Sequence, residues 1–253
     1  MSEVLTEVVD GVLLITLNRP EARNAVNQAL AEGVAAALDR LDDEDDLRIG
    51  ILTGAGKGFS AGMDLKAFLA GERPYVGDRG FAGITLRAAR KPLIAAIEGF
   101  AVAGGFEIAL SCDLIVAARD ARLGIPEVKR SLVAGAGALI RLPKRIPYHL
   151  AMELALTGEP IGAERAHAVG IVNRLAEPGE AVAVARQLAG EIAANAPLAV
   201  AASKQILQGA VDWTEAEAWH KQGEIGGPVF TSEDAQEGAK AFAERRPPVW
   251  RGR

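Results

Sequence analysis

Apolar positions along the 253-residue chain change period several times, and each change predicts an element. Val4 to Val9 alternates weakly, and Gly11 turns the chain. Val12-Leu13-Leu14-Ile15-Thr16-Leu17 is a β-branched run of strand length, ended by Asn18-Arg19-Pro20. The spacing of Leu30, Val34, Leu38 and Leu41 predicts a helix that runs out in the acidic stretch Asp42 to Asp46. Ile49 to Thr53 is the next strand, and a glycine-rich loop over 54–62 delivers the chain into a short helix over 65–69. Residues 70–83, with Gly71, Pro74, Gly77, Gly80 and Gly83, read as a mobile loop. A helix is expected to end at Lys91-Pro92, because the residue before proline avoids helical angles. Leu93 to Ile97 reads as a buried strand, Phe106 to Ser111 as a helix and Leu114 to Ala117 as another strand. This rhythm predicts βαβ units and a largely parallel sheet. From about His149 onward, alanine-rich helical segments follow one another, including 181–195 and 198–210, and only Gly170-Ile171-Val172 reads as a strand. The last sixty residues place Trp213, Trp219, Phe230, Phe242 and Trp250 on helical segments, which predicts a helical appendage.

Composition narrows the class. Hydrophobic residues at 49 % and charged residues at 24 % are ordinary for a soluble globular chain. At this length roughly 70–75 % of the unfolded surface can be buried, so no staples are needed. The balance of 28 Lys+Arg against 33 Asp+Glu, a net −5, argues against general nucleic-acid binding, which needs clustered cations. No apolar run reaches about 18 residues, so no membrane span is expected. The single cysteine, Cys112, excludes an intramolecular disulfide, and the acidic N-terminal decapeptide lacks a basic leader region. The expectation is a cytoplasmic protein.

Four features are candidates for chemistry. Gly58-Phe59-Ser60-Ala61-Gly62 matches G-x-S-x-G, the nucleophile elbow of serine hydrolases. Such a serine needs a histidine base, and the chain offers only His149, His167 and His220, all in the helical half. The alternative task for Ser60 is to cap the following helix. The glycines at 54, 56 and 58 lack the Walker spacing, and Gly135-x-Gly137 lacks a third glycine, so neither supports a nucleotide site. Two carboxylates stand in apolar, glycine-bounded surroundings. Glu107 follows Ala103-Gly104-Gly105-Phe106, and Glu127 follows Leu123-Gly124-Ile125-Pro126. Buried carboxyls have raised pKa values and can share acid and base roles, although either one alone can simply serve a helix dipole. No His or Cys lies at ligand spacing, nothing focuses the acidic run at 42–46 on one point, and no metal is expected. Finally, Ala61-Gly62-Met63-Asp64 and Val102-Ala103-Gly104-Gly105 put small residues just before helices. The free N–H groups of two such loops, facing one another, can form an oxyanion hole.

Taken together, these residues resemble the crotonase (enoyl-CoA hydratase/isomerase) superfamily. The resemblance is carried by 17–25, 58–66, 101–109, 112–113 through 124–127, 151–158, 168–173 and the tail at 232–238 and 241–242, so it covers nearly the whole chain. It implies an α/β fold, a spiral of stacked ββα turns over 1–193, with a C-terminal helical trimerisation region over 194–253. Homotrimers or hexamers follow from it, as do acyl-CoA thioester substrates, with no cofactor beyond the CoA of the substrate.

By the same resemblance the oxyanion donors are the backbone N–H groups of Met63 and Gly104. Ala61, Asp64, Leu65 and Lys66 line the CoA site, and Arg23 approaches its nucleotide end. Glu107 and Glu127 match both glutamates of the hydratases, with Glu107 as base toward Cβ, Glu127 as acid toward Cα, and Gly135 as a further backbone donor near the water. Hydration of an enoyl-CoA is the activity implied. The alternatives are a dehydratase for a polar acyl-CoA such as carnitinyl-CoA, or a Δ3,Δ2-enoyl-CoA isomerase. The sequence departs from the family pattern at Met63, at Ala103 in place of the first glycine of a triplet, and at 129–131 and 136–139, which border the acyl pocket.

Overall fold

The computed structural model describes residues 2–253. β1 (Val4–Val9) and β2 (Val12–Leu17) form an antiparallel hairpin. Its two turn residues, Asp10 and Gly11, both sit at positive φ, the geometry that suits strand twist. α1 (Gln28–Asp43) starts where the Asn27 side chain accepts the Leu30 N–H, and it buries Leu30, Val34, Leu38 and Leu41 as their spacing predicts. β3 (Ile49–Gly54) returns parallel to β2. α2 (Leu65–Leu69) is a single turn and a half, and β4 (Tyr75–Val76) with β5 (Gly80–Phe81) is a small hairpin. β6 (Leu93–Ile97), β7 (Phe100–Val102) and α3 (Gly104–Ser111) make one ββα turn. β8 (Leu114–Ala118) and β9 (Arg122–Gly124) begin the next, followed by a 3-10 turn at Pro126–Arg130 and then α4 (Ala138–Arg145) and α5 (Tyr148–Thr157). β10 (Ile161–Gly162), α6 (Ala163–Ala168), β11 (Arg174–Ala176) and α7 (Ala181–Ala193) complete the spiral. α8 (Pro197–Ala210), α9 (Glu215–Phe230) and α10 (Glu233–Glu244) form the tail.

The main sheet has the order β1-β2-β3-β6-β8-β11 and is parallel from β2 onward. β3 and β6 sit at its centre and are mostly apolar, buried from Ile49 to Thr53 and from Leu93 to Ile97, as parallel strands covered on both faces must be. On one face α7 lays Ala181, Ala185 and Ala189 against Ile49, Ile51, Ile94 and Val116. The i, i+4 alanines let the helix axis come close to the sheet. The other face carries the larger core with α1, α3 and α4. The second strands of successive turns stack separately, as β7 on β9 on β10. Bridges Ser60–Ala101 and Val26–Met63 extend that stack to two more layers of chain. The spiral of ββα turns is therefore present.

Four details differ from the sequence reading. Residues 82–92 form turns rather than a helix, because the Arg79 side chain, buried against Asp39, donates to the carbonyls of Arg87 and Ala88 and holds that segment irregular. The 70–83 stretch contains the β4–β5 hairpin. The late strands are 161–162 and 174–176 instead of 170–172, where Ile171 and Val172 are buried in a turn whose N–H groups reach back to the Ala166 carbonyl. Trp213 and Trp250 lie outside the tail helices, and Trp250 donates its indole N–H to the Ala194 carbonyl.

The tail is tied to the spiral at one buried cation. Lys204 on α8 donates to the carbonyls of Ala89 and Lys91 and to the Asp113 carboxylate, at 2.7, 2.8 and 2.6 Å. Asp113 also accepts the Leu93 N–H at the start of β6. Elsewhere the tail leaves apolar surface in water: Leu207, Trp219, Phe230 and Phe242 are all exposed, and α9 buries no residue.

Removing one member of a buried charge pair strands the other. Lys204→Ala should lower unfolding free energy by about 3 kcal/mol, read as the urea midpoint at fixed protein concentration.

Candidate active site

The site is built where the loop after β3 meets the loop after β7. Asn24, buried and left-handed at φ 52°, organises the first of these. Its amide donates to the carbonyls of Ala55 and Gly58, both at 2.9 Å, and its side-chain oxygen accepts the Arg19 N–H. Ser60 is fully buried. Its hydroxyl donates to the Asn24 carbonyl at 2.8 Å and accepts the Gly62 N–H at 3.1 Å. The serine thus shapes the turn from within. It does not cap α2, which Asp64 caps by accepting the N–H groups of Lys66 and Ala67.

The two loops touch backbone to backbone. Gly62 has φ +87°, and a Cβ there would stand 2.6 Å from the Gly104 nitrogen, so no other residue fits. Ala103 sits at φ 53°, ψ −133°, a region that L residues rarely occupy. That conformation turns the peptide between 103 and 104 and starts α3 at Gly104. Among the described residues, neither the Met63 nor the Gly104 N–H donates a hydrogen bond within the protein. The geometry therefore places two loops with free N–H groups against each other.

The carboxylates come from the next layer. Glu107, in the first turn of α3, is only 3 % exposed. Its Oε1 accepts the N–H groups of Ala136 at 2.7 Å and Ala138 at 3.1 Å, at the start of α4. Burial raises its pKa above the ordinary carboxylate value, while those amides and the nearby Arg141 charge pull the other way. Glu127 lies in the 3-10 turn that Pro126 opens. Its Oε2 is buried and has no hydrogen-bond partner among the described residues. Burial pushes its pKa up, its own backbone N–H lowers it, and the charge of Glu107 raises it, to about 7 overall. The two carboxyls are thus held differently: Glu107 is gripped by amides, and Glu127, which feels the charge of Glu107, is not.

The remaining predicted residues divide. Asp64 is spent on internal contacts: besides capping α2 it pairs with Arg19 at 3.0 Å. Burial opposes its charge, but the hydrogen bonds from Ala67, Arg19 and Lys66 hold its carboxyl below the usual range. Arg23, Leu65 and Lys66 are exposed near it, and Ala61 is half-buried with its N–H on the Arg23 carbonyl. Gly135 is exposed, and the amides that hold Glu107 belong to its neighbours Ala136 and Ala138. The sequence reading missed those two, along with the structural roles of Arg19 and Asn24. The visible signal was Gly137, which turns at φ +113° directly before α4. A hydrolase reading of Ser60 fails on geometry. Its hydroxyl is enclosed, whereas His149, His167 and His220 are all exposed, with His167 Nδ1 on the Val172 carbonyl. Among the described residues, no three His, Cys, Asp or Glu side chains converge to hold a metal ion.

The chain is similar to known proteins over its whole length. A family model described as enoyl-CoA hydratase/isomerase matches residues 7–253. The crystal structure of an enoyl-CoA hydratase from Mycobacterium marinum is 58 % identical, superposes with a TM-score of 0.98 and covers 100 % of both chains. A carnitinyl-CoA hydratase from Mycobacterium avium is 42 % identical at a TM-score of 0.81, again over 100 % of both chains. A carnitinyl-CoA dehydratase of Salmonella typhi is 42 % identical over 262 residues, covering 100 % of each.

Two stability effects follow from the site. Ala103→Gly relieves the positive φ and should raise unfolding free energy by about 1 kcal/mol; a thermal melt that moves down would contradict the strain. Glu127 has a raised folded pKa, so its neutral form favours folding below the unfolded carboxyl range, and that contribution is lost as pH rises through about 7. Glu127→Gln should therefore gain roughly 1–2 kcal/mol at pH 8 after allowing for contact with water, and almost nothing at pH 4. Urea midpoints at the two pH values read the difference.

Proposed function

The chain belongs to the enoyl-CoA hydratase/isomerase family, and on that premise we propose that it adds water reversibly across the α,β double bond of an enoyl-CoA thioester. The observation that carries this reading is the pair of inequivalent carboxyls, Glu107 and Glu127, beside two backbone loops with free donors. The thioester oxygen accepts the N–H groups of Met63 and Gly104. Those donors are fixed before the reaction and need no reorganisation as charge grows on the oxygen. Glu107, ionised and oriented by the Ala136 and Ala138 amides, takes a proton from water as the water oxygen bonds to Cβ. The π electrons move onto the thioester oxygen as an enolate. The enolate collapses, and Cα takes a proton from Glu127, which burial keeps protonated to about pH 7. One water is consumed, and the carboxyls return to their starting charges by giving up and regaining one proton each. Gly135 borders the water as a further backbone donor.

The thioester carbonyl is itself the electron sink, so the reaction uses no cofactor. Arg23 and Lys66 offer exposed cations to the phosphates of CoA, while Ala61, Asp64 and Leu65 shape the path between them. A protein of net charge −5 binds a polyanion there because the local cations decide the local field. Residues 194–253 form the oligomerisation region: the apolar side chains that the tail exposes require cover, and a trimer or pair of trimers supplies it. A cytoplasmic setting fits the single reduced cysteine.

The same machinery run in the other direction removes water. The 42 % identity to a carnitinyl-CoA dehydratase supports a second reading, in which the acyl group is polar. An isomerase needs a single acid-base group, so the second carboxyl favours hydration over isomerisation.

With crotonyl-CoA, absorbance of the conjugated thioester should fall on adding the enzyme. Glu107→Gln and Glu127→Gln should each slow this by about 10²–10⁴-fold. Ser60→Ala should keep measurable turnover; a dead Ser60→Ala beside an active Glu127→Gln would overturn the reading. In light scattering the particle should weigh three or six times the 26.5 kDa chain, and a monomer would remove the proposed role of the tail.

A further inference from the structure

Half-buried Arg141, one turn into α4, takes no direct part in the chemistry described above. Its guanidinium forks between two carbonyls: Nη1 donates to Ala136 at 3.2 Å and Nη2 to Thr85 at 2.5 Å. Thr85 belongs to the irregular 82–92 segment and is itself buried. The fork lies over Gly137, where a Cβ would collide with Nη1. Ala136 therefore holds two bonds of opposite sense. Its carbonyl accepts from Arg141, and its N–H donates to Glu107, as does that of Ala138. We propose that Arg141 is a positioning residue for Glu107, fixing the 136–138 turn whose amides grip the carboxylate and placing a permanent cation beside it.

Both halves of this role suit arginine. A planar fork can hold two carbonyls from different segments at once, whereas a lysine ammonium is a point charge. The titratable neighbours are few. Glu107 faces Arg141 from α3, and Glu127 on the 3-10 turn feels Glu107, while Arg141 has the charge of Arg145 on its own helix and, after α3, the Cys112 thiol, which burial keeps neutral. Among these, the Arg141 charge favours an ionised Glu107 against burial. A water-activating base must be ionised, and the cation and the amides both act in that direction, against the burial that raises the Glu107 pKa.

The inference rests on Glu107 acting as the base, and its test is chosen to separate the two. The carboxyl of Glu107 is titrated in the free enzyme by infrared difference spectroscopy, assigned with Glu107→Gln. Amide exchange at 136 and 138 is followed in the same samples. Arg141→Gln should raise the Glu107 pKa by about one unit and speed those exchanges at least tenfold. On crotonyl-CoA it should lower kcat by about 10–100-fold, with KM within twofold and the acidic limb of the pH profile moved up. Arg141→Lys should keep most of the pKa but still loosen the two amides. An unchanged Glu107 titration together with unchanged exchange in Arg141→Gln overturns the proposal. If Arg141→Gln does not fold, Arg141→Lys decides, and wild-type exchange and kcat in that variant overturn it. A wild-type enzyme without turnover, whose Glu107 titration still shifts in Arg141→Gln, supports the positioning role while removing the hydration reading.

Discussion

A carboxylate cannot be buried without partners, and Glu107 is 3 % exposed. Its partners are two amides at the start of α4, which explains why that helix begins where it does and why a left-handed glycine precedes it. Glu127, by contrast, keeps a buried Oε2 that has no hydrogen-bond donor among the described residues. The same apolar cleft therefore treats the two groups differently. Burial raises both above the ordinary carboxylate range, but at Glu107 amides and a cation oppose that rise, whereas Glu127 holds its proton up to about neutrality. Two carboxyls whose environments push them apart make an acid and a base from one residue type.

The rest of the fold serves to bring that pair to the two loops with free N–H groups. The central strands β3 and β6 are buried on both faces and fix the distance between turns of the spiral. The secondary stack, through the Ser60–Ala101 bridge, then presses the 58–62 loop on the chain that enters α3. The close approach at Gly62 and Gly104 has a conformational cost, visible in the positive φ of Ala103. Strain at such a place is tolerated because packing on both sides leaves the backbone no alternative.

Much of this was legible in the sequence. The strand runs at 12–17, 49–53, 93–97 and 114–117 and the helix spacing from Leu30 to Leu41 sit where their periodicity placed them, because burial on both faces leaves long apolar runs. The two glutamates stood out by their apolar neighbours. The helix expected before Pro92 did not form, since the signal was only a boundary rule and the buried Arg79 held the segment by its carbonyls. The strand expected at 170–172 failed because a short apolar run in a buried turn looks the same as one in a strand. Ser60 was ambiguous because capping and turn-making use the same hydroxyl. The amides of Ala136 and Ala138 were invisible, as backbone donors leave no mark in residue identity. Arg141 was equally silent, since its partners are carbonyls from distant parts of the chain.

The central claim is that this site places water oxygen on Cβ and a proton on Cα of an enoyl thioester. The most direct test runs crotonyl-CoA to partial conversion in water enriched in both oxygen-18 and deuterium, with the acyl product read by mass spectrometry and NMR. The account predicts one oxygen-18 on Cβ, one deuterium on Cα and an intact thioester. Oxygen-18 in a free carboxylate with release of CoA, or deuterium exchange with no oxygen gained, would contradict it.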